Sequence, residues 1–293
     1  MLKSTDTLKH AIKRIQVYFS QNASRVYTEY ELRAILKYKR AEWKIAPWTL
    51  GSRFVEFLLS NEILRETRVE SESYPAKRRF TREDATPYQV ALSLAADTYL
   101  THSTAVFLHG LTDQIPKTIY VNREQRPKAA SSACLTQGRI DLAFSGRQRT
   151  SKYVFRIASH RIVVLSGKHT GRLEVESVDG PSGELLQATS IARTLVDITV
   201  RSGYAGGVSQ VLEAYRGARG RIAGERLLGV LKELDYVYPY HQSIGFLLEK
   251  AAWAEEDIKP FRTLEMKFDF YLLHGMRERE YDQRWRLFYP KGL

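Results

Sequence analysis

Apolar positions Leu8, Ile12, Ile15 and Phe19 recur at three- and four-residue spacing, so the chain opens with a helix over 6–19 that buries one stripe. Thr28 and Glu31 form a T-x-x-E capping box, and Tyr27 and Leu32 stand at the two positions of a hydrophobic staple. A second helix therefore begins at Glu29, turns Leu32, Ile35 and Leu36 inward, and ends among Lys37, Lys39 and Arg40, where cations suit the helix dipole. Pro47 interrupts the chain, and Thr49 is placed to cap a third helix with Leu50, Phe54, Phe57 and Leu58 on its inner face. Thr49, Ser52, Arg53, Glu56 and Ser60 share a separate polar stripe. Segments 64–69 and 77–81, joined through a turn containing Pro75, predict a two-stranded hairpin whose return limb carries Lys77, Arg78 and Arg79.

Three helices followed by a basic hairpin is the element order of a winged helix-turn-helix, expected over residues 1–84. A helix that enters the major groove N-terminus first needs a polar face that is small near its start. On that reading Thr49, Ser52 and Arg53 meet base edges, while Lys44, Lys77, Arg78 and Arg79 hold phosphates. Charge supports it. Residues 1–82 carry 17 Lys+Arg against 9 Asp+Glu, a net of +8, and the rest of the chain carries 28 against 24. A localised cationic patch attracts a phosphate polymer through counterion release and fixes which face approaches it. The aromatic-studded sheet that stacks single-stranded bases is missing from this segment, which favours duplex DNA over RNA. Docking of a protein partner is the alternative use of such a head.

The pattern over 85–293 predicts a larger α+β domain. Thr86-Pro87 caps a helix over 88–96, and a short helix over 103–109 stops at Gly110. Strand-like runs follow at 118–121, 140–144, 153–158, 162–165 and 173–178, on links short enough for a mainly antiparallel sheet. A helical cluster comes next, over 191–200 behind Ser190, 208–215, 225–234 and 242–253, and strands at 264–273 and 285–289 close the chain. Strands and helices are segregated, which favours α+β over a doubly wound fold.

At 293 residues the chain accommodates two ordinary domains, and 43% hydrophobic with 27% charged residues is the balance of a folded protein. The single cysteine, Cys134, leaves no disulfide framework and no cysteine-rich zinc site. No apolar run reaches bilayer-spanning length and no signal-peptide core opens the chain, so a cytoplasmic location without membrane contact is expected.

Catalytic patterns are weak. Residues 166–171, Ser-Gly-Lys-His-Thr-Gly, follow a strand but lack the first glycine and the magnesium-binding hydroxyl of a phosphate loop. His102, Ser103 and His109 lie close together without a nucleophile elbow, and Ser103 is explained as a helix cap. Glu265 and Lys267, two apart on an expected strand with Asp269 beyond, match the E-x-K half of a metal-dependent nuclease, for which Asp141 is the upstream acid on offer. The histidines show no ligand spacing, and neither a metal nor a cofactor is expected. The basic turn 216–221 is a further phosphate contact or a solvated link.

Several stretches resemble the AbiEi-type antitoxins of type IV, abortive-infection toxin–antitoxin systems. They are Tyr99-Leu100-Thr101-His102-Ser103-Thr104-Ala105, continuing through His109-Gly110-Leu111 to Ile119-Tyr120-Val121, and Ser190-Ile191-Ala192-Arg193-Thr194-Leu195-Val196-Asp197. Residues 238–248, Phe268-Asp269-Phe270-Tyr271 and Trp285-Arg286-Leu287 complete them. None is a catalytic signature. The resemblance implies a bacterial, non-enzymatic protein of two parts. Its winged helix represses its own operon at operator DNA, two heads to an operator. Its second domain counteracts a co-encoded nucleotidyltransferase-like toxin, with or without direct contact. The head is more aromatic and has a longer hairpin loop than the shortest heads of that family.

Overall fold

The computed structural model describes residues 4–127 and 134–293. The chain divides into two compact units, Met1–Ala96 with Val154–Ile162, and Asp97–Tyr153 with Val163–Leu293. The expected boundary at 84/85 thus lies inside the first unit.

The first unit runs α1 (Ser4–Gln21), β1 (Val26–Tyr27), α2 (Glu29–Lys39), α3 (Gly51–Ser60), β2 (Arg65–Val69), β3 (Lys77–Thr81) and α4 (Pro87–Leu92). The capping box forms as the sequence predicts: Thr28 Oγ1 accepts the Glu31 N–H, and Glu31 Oε2 accepts the Thr28 N–H at 2.6 Å. Leu8, Ile15 and Phe19 of α1, Leu32 and Leu36 of α2, and Phe54, Phe57 and Leu58 of α3 close one core with Trp43 and Phe80. The strands form an antiparallel sheet of order β1-β3-β2. Helix α4 stops at Leu92, short of the expected 96.

In the second unit β4 (Tyr99–Leu100), α5 (Ser103–Leu108), β5 (Thr118–Glu124) and α6 (Gln137–Ser145) come first. Residues 140–144, expected as a strand, lie within α6. Thr136 caps that helix, and Ile140 and Phe144, four apart, bury one side of it. Next come β6 (Val154–Ile157), β7 (His160–Gly167), β8 (Val175–Asp179) and β9 (Leu185–Thr189). The sheet of this unit has the order β7-β5-β4-β9-β8, antiparallel at β4–β5 and β8–β9 and parallel at β4–β9. Residues 154–162 belong instead to the first unit, where Arg156 exchanges backbone hydrogen bonds with Glu70 at 2.8 and 3.0 Å, just beyond β2.

Helices α7 (Ile191–Val200), α8 (Val208–Ala218), α9 (Gly224–Leu234), α10 (Tyr240–Lys250) and α11 (Glu255–Arg262) form the helical cluster, and β10 (Phe270–Tyr271), β11 (Arg279–Asp282) and β12 (Leu287–Pro290) a small sheet of order β10-β12-β11. Buried Gln242 of α10 links them, its Nε2 donating to the carbonyls of Phe268, Trp285 and Arg286 at 2.8–3.1 Å. The fold is mixed α and β with several sheets. Among the described residues no helix is long and apolar enough to cross a membrane.

Candidate nucleic-acid interface

Helix α3 places the expected polar stripe. With Phe54, Val55, Phe57 and Leu58 turned inward, Ser52, Arg53, Glu56 and Ser60 are left exposed. Arg53 Nη1 donates to Glu56 Oε2 at 3.2 Å, so its charge is partly answered within the helix. Thr49 is different. The helix begins one residue later than expected, behind Leu50, and no side chain caps it. Thr49 is only 2% exposed, its N–H bonds the Ala46 carbonyl, and its own carbonyl accepts Arg40 Nη2 at 2.9 Å. It has no route to a base edge. Leu50, expected inside, is 69% exposed beside the exposed Trp48.

Arg40, expected only as one of the cations at the end of α2, has a second role. Its guanidinium also donates to the carbonyls of Ala46 and Pro47, so one cation fixes the turn that leads into α3. Lys44 lies in that turn, exposed, with a left-handed backbone of φ 56°.

The three hairpin cations have three fates. Arg78 is exposed and bidentate on Glu66 across the hairpin, Nε to Oε1 at 2.8 Å and Nη2 to Oε2 at 2.9 Å. Arg79 is 7% exposed and donates to the Ser93 hydroxyl and carbonyl at 2.9 and 2.8 Å. Burial holds its pKa below the ordinary arginine value. It ties β3 to the chain after α4 and is not a phosphate contact. Lys77 is half-buried with its ammonium 6.0 Å from the centroid of the Phe155 ring, and it has no ion pair among the described residues.

Glu29, at the first position of α2, draws these parts together. It accepts Arg33 Nη2 at 2.5 Å and lies 3.9 Å from Arg78, while the Arg33 stem passes so close to Gly51 that a Cβ there would meet Cγ at 2.7 Å. Glycine at the start of α3 leaves room for the Arg33 stem of α2.

The remaining candidates lie in the second unit. Arg193 and Asp197, one turn apart on α7, form a buried pair at 2.8 Å, and Asp197 Oδ2 accepts the Thr101 hydroxyl at 3.1 Å. Two of the segments that carry the family resemblance therefore meet in one buried network. Ser103 is the first residue of α5 and not its cap; that position belongs to His102. His109 Nε2 donates to the Thr189 carbonyl at 2.7 Å. Segment 166–171 leads into a turn that binds a carboxylate of the protein itself, since the N–H groups of Thr170, Gly171 and Arg172 donate to Glu124 at 2.9–3.1 Å. Burial raises the Glu124 pKa, but the hydrogen bonds from Thr170 and Arg172 outweigh it and hold the carboxyl below its usual range.

The nuclease geometry is not assembled. Glu265 and Lys267 lie outside any strand, exposed, and pair with each other at 3.1 Å. Asp269 accepts the Tyr281 hydroxyl at 2.7 Å and Arg286 Nε at 2.9 Å, and Asp141 stands on α6, accepting from Gln137 and Tyr271. Among the described residues no three His, Cys, Asp or Glu side chains group as a metal-ligand set.

No family model and no curated protein matches this chain. Among solved structures it is similar to the RV2827C protein of Mycobacterium tuberculosis, at 14% identity and a TM-score of 0.53, over 95% of this chain and 90% of that one. Identity that low establishes a likeness of fold.

Proposed function

We propose that the protein is a bipartite antitoxin and transcriptional autorepressor. Its first unit, a winged helix-turn-helix, binds operator DNA, and its second unit counteracts a co-encoded nucleotidyltransferase-like toxin in a bacterial cytoplasm. The observation that carries the DNA-binding half is the first turn of α3. Ser52 and Arg53 reach solvent there while Phe54, Phe57 and Leu58 of the same helix are buried, and exposed Arg78 of the hairpin lies 3.9 Å from Glu29 of α2. Base contacts then fall to Ser52 and Arg53, and phosphates to Lys44, Lys77 and Arg78. Thr49 and Arg79 have no place in that list because they are buried. The antitoxin half rests on the resemblance of residues 99–105, 190–197 and 238–248, whose network in the second unit is structural.

Titration of the full-length protein against DNA upstream of its own gene tests the reading. Arg53→Ala is expected to cost about 1–3 kcal/mol and blur sequence preference, because a bidentate arginine contact discriminates by that amount. Unchanged affinity and preference in that variant would refute the placement. Absence of DNA affinity at any salt would make the head a protein-docking module. Co-expression with the neighbouring reading frame, toxic alone and tolerated together, tests the second half.

A further inference from the structure

The second unit contains a cleft of about 660 Å³, within the ordinary size range for a small-molecule site. It lies among the end of β4, residues 122–127 at the end of β5, residues 149–151, the end of β7, one side of α7 with the turn after it, and the chain entering α10. Nothing in the proposed repressor role uses it.

Its charge is one-sided. Arg126, Arg149, Lys168, Arg193 and Arg201 line it against a single carboxylate, Asp197, which Arg193 already neutralises at 2.8 Å. Lys168 is engaged with the carbonyls of Leu234 and Asp235. Arg149 and Arg201 are exposed neighbours, Arg201 Nη1 lying 3.5 Å from the Arg149 carbonyl, and neither has a carboxylate partner among the described residues. Two arginines that line one cleft without a carboxylate partner among the described residues suit an anion with several acceptor oxygens, such as phosphate. The cleft also has aromatic lining. Tyr236 and Tyr238 are half-buried in the cleft, each edge-on to buried Tyr240 at ring separations of 5.4 and 6.3 Å.

His102 supplies an independent pointer. It lines the cleft at 7% exposure with φ 53° and ψ −134°, a conformation that side-chain-bearing residues avoid and that persists where the surroundings enforce it. Thr101 spends its only hydroxyl proton on Asp197, so at the 3.1 Å contact between Thr101 Oγ1 and His102 Nδ1 the imidazole is the donor. Nε2 is then a bare acceptor, and it has no hydrogen-bond partner among the described residues. A buried acceptor without a donor is costly unless a ligand supplies one.

We infer that this cleft binds a nucleoside phosphate, with the phosphate on Arg149 and Arg201, the base against Tyr236 and Tyr238, and a ligand hydroxyl or amino group donating to His102 Nε2. Guanidinium groups beside stacking aromatics are the usual means of holding a nucleotide. The same chemistry serves a free mononucleotide or the terminal nucleotide of a strand.

Calorimetric titration of the full-length protein with the four ribonucleoside monophosphates, inorganic phosphate and a 5′-phosphorylated single-stranded hexanucleotide tests this. Saturable binding of a mononucleotide, weakened about tenfold or more by Arg149→Ala with Arg201→Ala, is the expected result. Binding of the hexanucleotide alone, lost in the same variant, supports the strand-end source. Both arginines are exposed, so the variant is expected to keep its fold, checked by its melting curve. The proposal is overturned if phosphate binds as tightly as every nucleotide, if nothing binds at millimolar concentration, or if the double variant binds like the parent. DNA affinity through Arg53 is measured separately, so the two readings fail independently.

Discussion

Arg193 Nε lies 2.8 Å from Asp197 Oδ1 within α7, and both side chains are more than nine-tenths buried. Thr101 closes the far carboxylate oxygen, and Arg193 Nη1 reaches the Leu173 carbonyl at 3.1 Å. Burial alone would lower the Arg193 pKa, but Asp197 outweighs it and the guanidinium is held above its ordinary value. The pair thus ties α7 to the β4–α5 junction and to the loop before β8.

Breaking this pair from one side leaves an uncompensated buried charge, which typically costs about 3–5 kcal/mol. Arg193→Met is therefore expected to lower the urea midpoint strongly, and Arg193→Met with Asp197→Leu to recover much of that loss. A double variant no better than the single one would contradict the account.

His102 predicts a pH dependence of stability. Burial pushes its pKa down to about 4, Asp197 pulls it upward, and Arg201 and Arg193 push it further down; the Tyr120 and Tyr204 rings flank it. Unfolded, the group takes up a proton near 6.5. Between those values the unfolded chain binds more protons, so stability is full above about pH 6.5 and is lost as pH falls toward 4, by about 3 kcal/mol for this group. His241 and His274, also lowered by burial, act in the same direction. Denaturation midpoints at pH 7 and pH 5 are expected to differ, with a flatter slope in His102→Gln.

Gly245 predicts a packing defect. A Cβ there would lie 2.1 Å from Trp285 Cζ3, and the ring cannot withdraw because it is fully buried with Nε1 held by Glu249 at 2.8 Å. Gly245→Ala is expected to cost about 1–3 kcal/mol by overpacking, less any gain in helix propensity. Tryptophan emission, read alongside the thermal midpoint, reports whether the indole is displaced.

The parts of the fold legible in the sequence are those with local causes. The Thr28 box, the Ser190 cap and the Thr86 cap before Pro87 each satisfy backbone groups within four residues, and all three helices begin directly after those residues. What failed depends on distant chain. Segment 140–144 alternates like a strand, yet Ile140 and Phe144 also suit a helix, and the neighbours decide. Helix α11 is hidden by Pro260 in its interior. Along β3, Arg78 and Phe80 share one face, while Arg79 points to the other, which is covered by the chain after α4. A run of three cations reads as surface until that cover is known. The cleft in the second unit was not legible as a site in the sequence, because its lining comes from six separated stretches.

The pairing of Arg78 with Glu66 gives a prediction specific to the proposed DNA-binding face. An arginine already bidentate on a carboxylate must release it before taking a phosphate, so part of its interaction with DNA is offset by the lost ion pair. Both groups are exposed, so the pair itself adds little to stability. Glu66→Gln is therefore expected to leave the thermal midpoint almost unchanged while tightening binding to all duplex sequences alike. It should also steepen the dependence of log K on log salt by about one, the signature of one more phosphate neutralised. Arg78→Ala should weaken binding to all duplex sequences alike and have a slope about one lower than that of Glu66→Gln. Arg79→Ala should destabilise the fold, because it leaves β3 untied from Ser93, and change the slope little. Fluorescence anisotropy across a salt series separates the three, and a Glu66→Gln protein with the parent's slope would remove Arg78 from the interface.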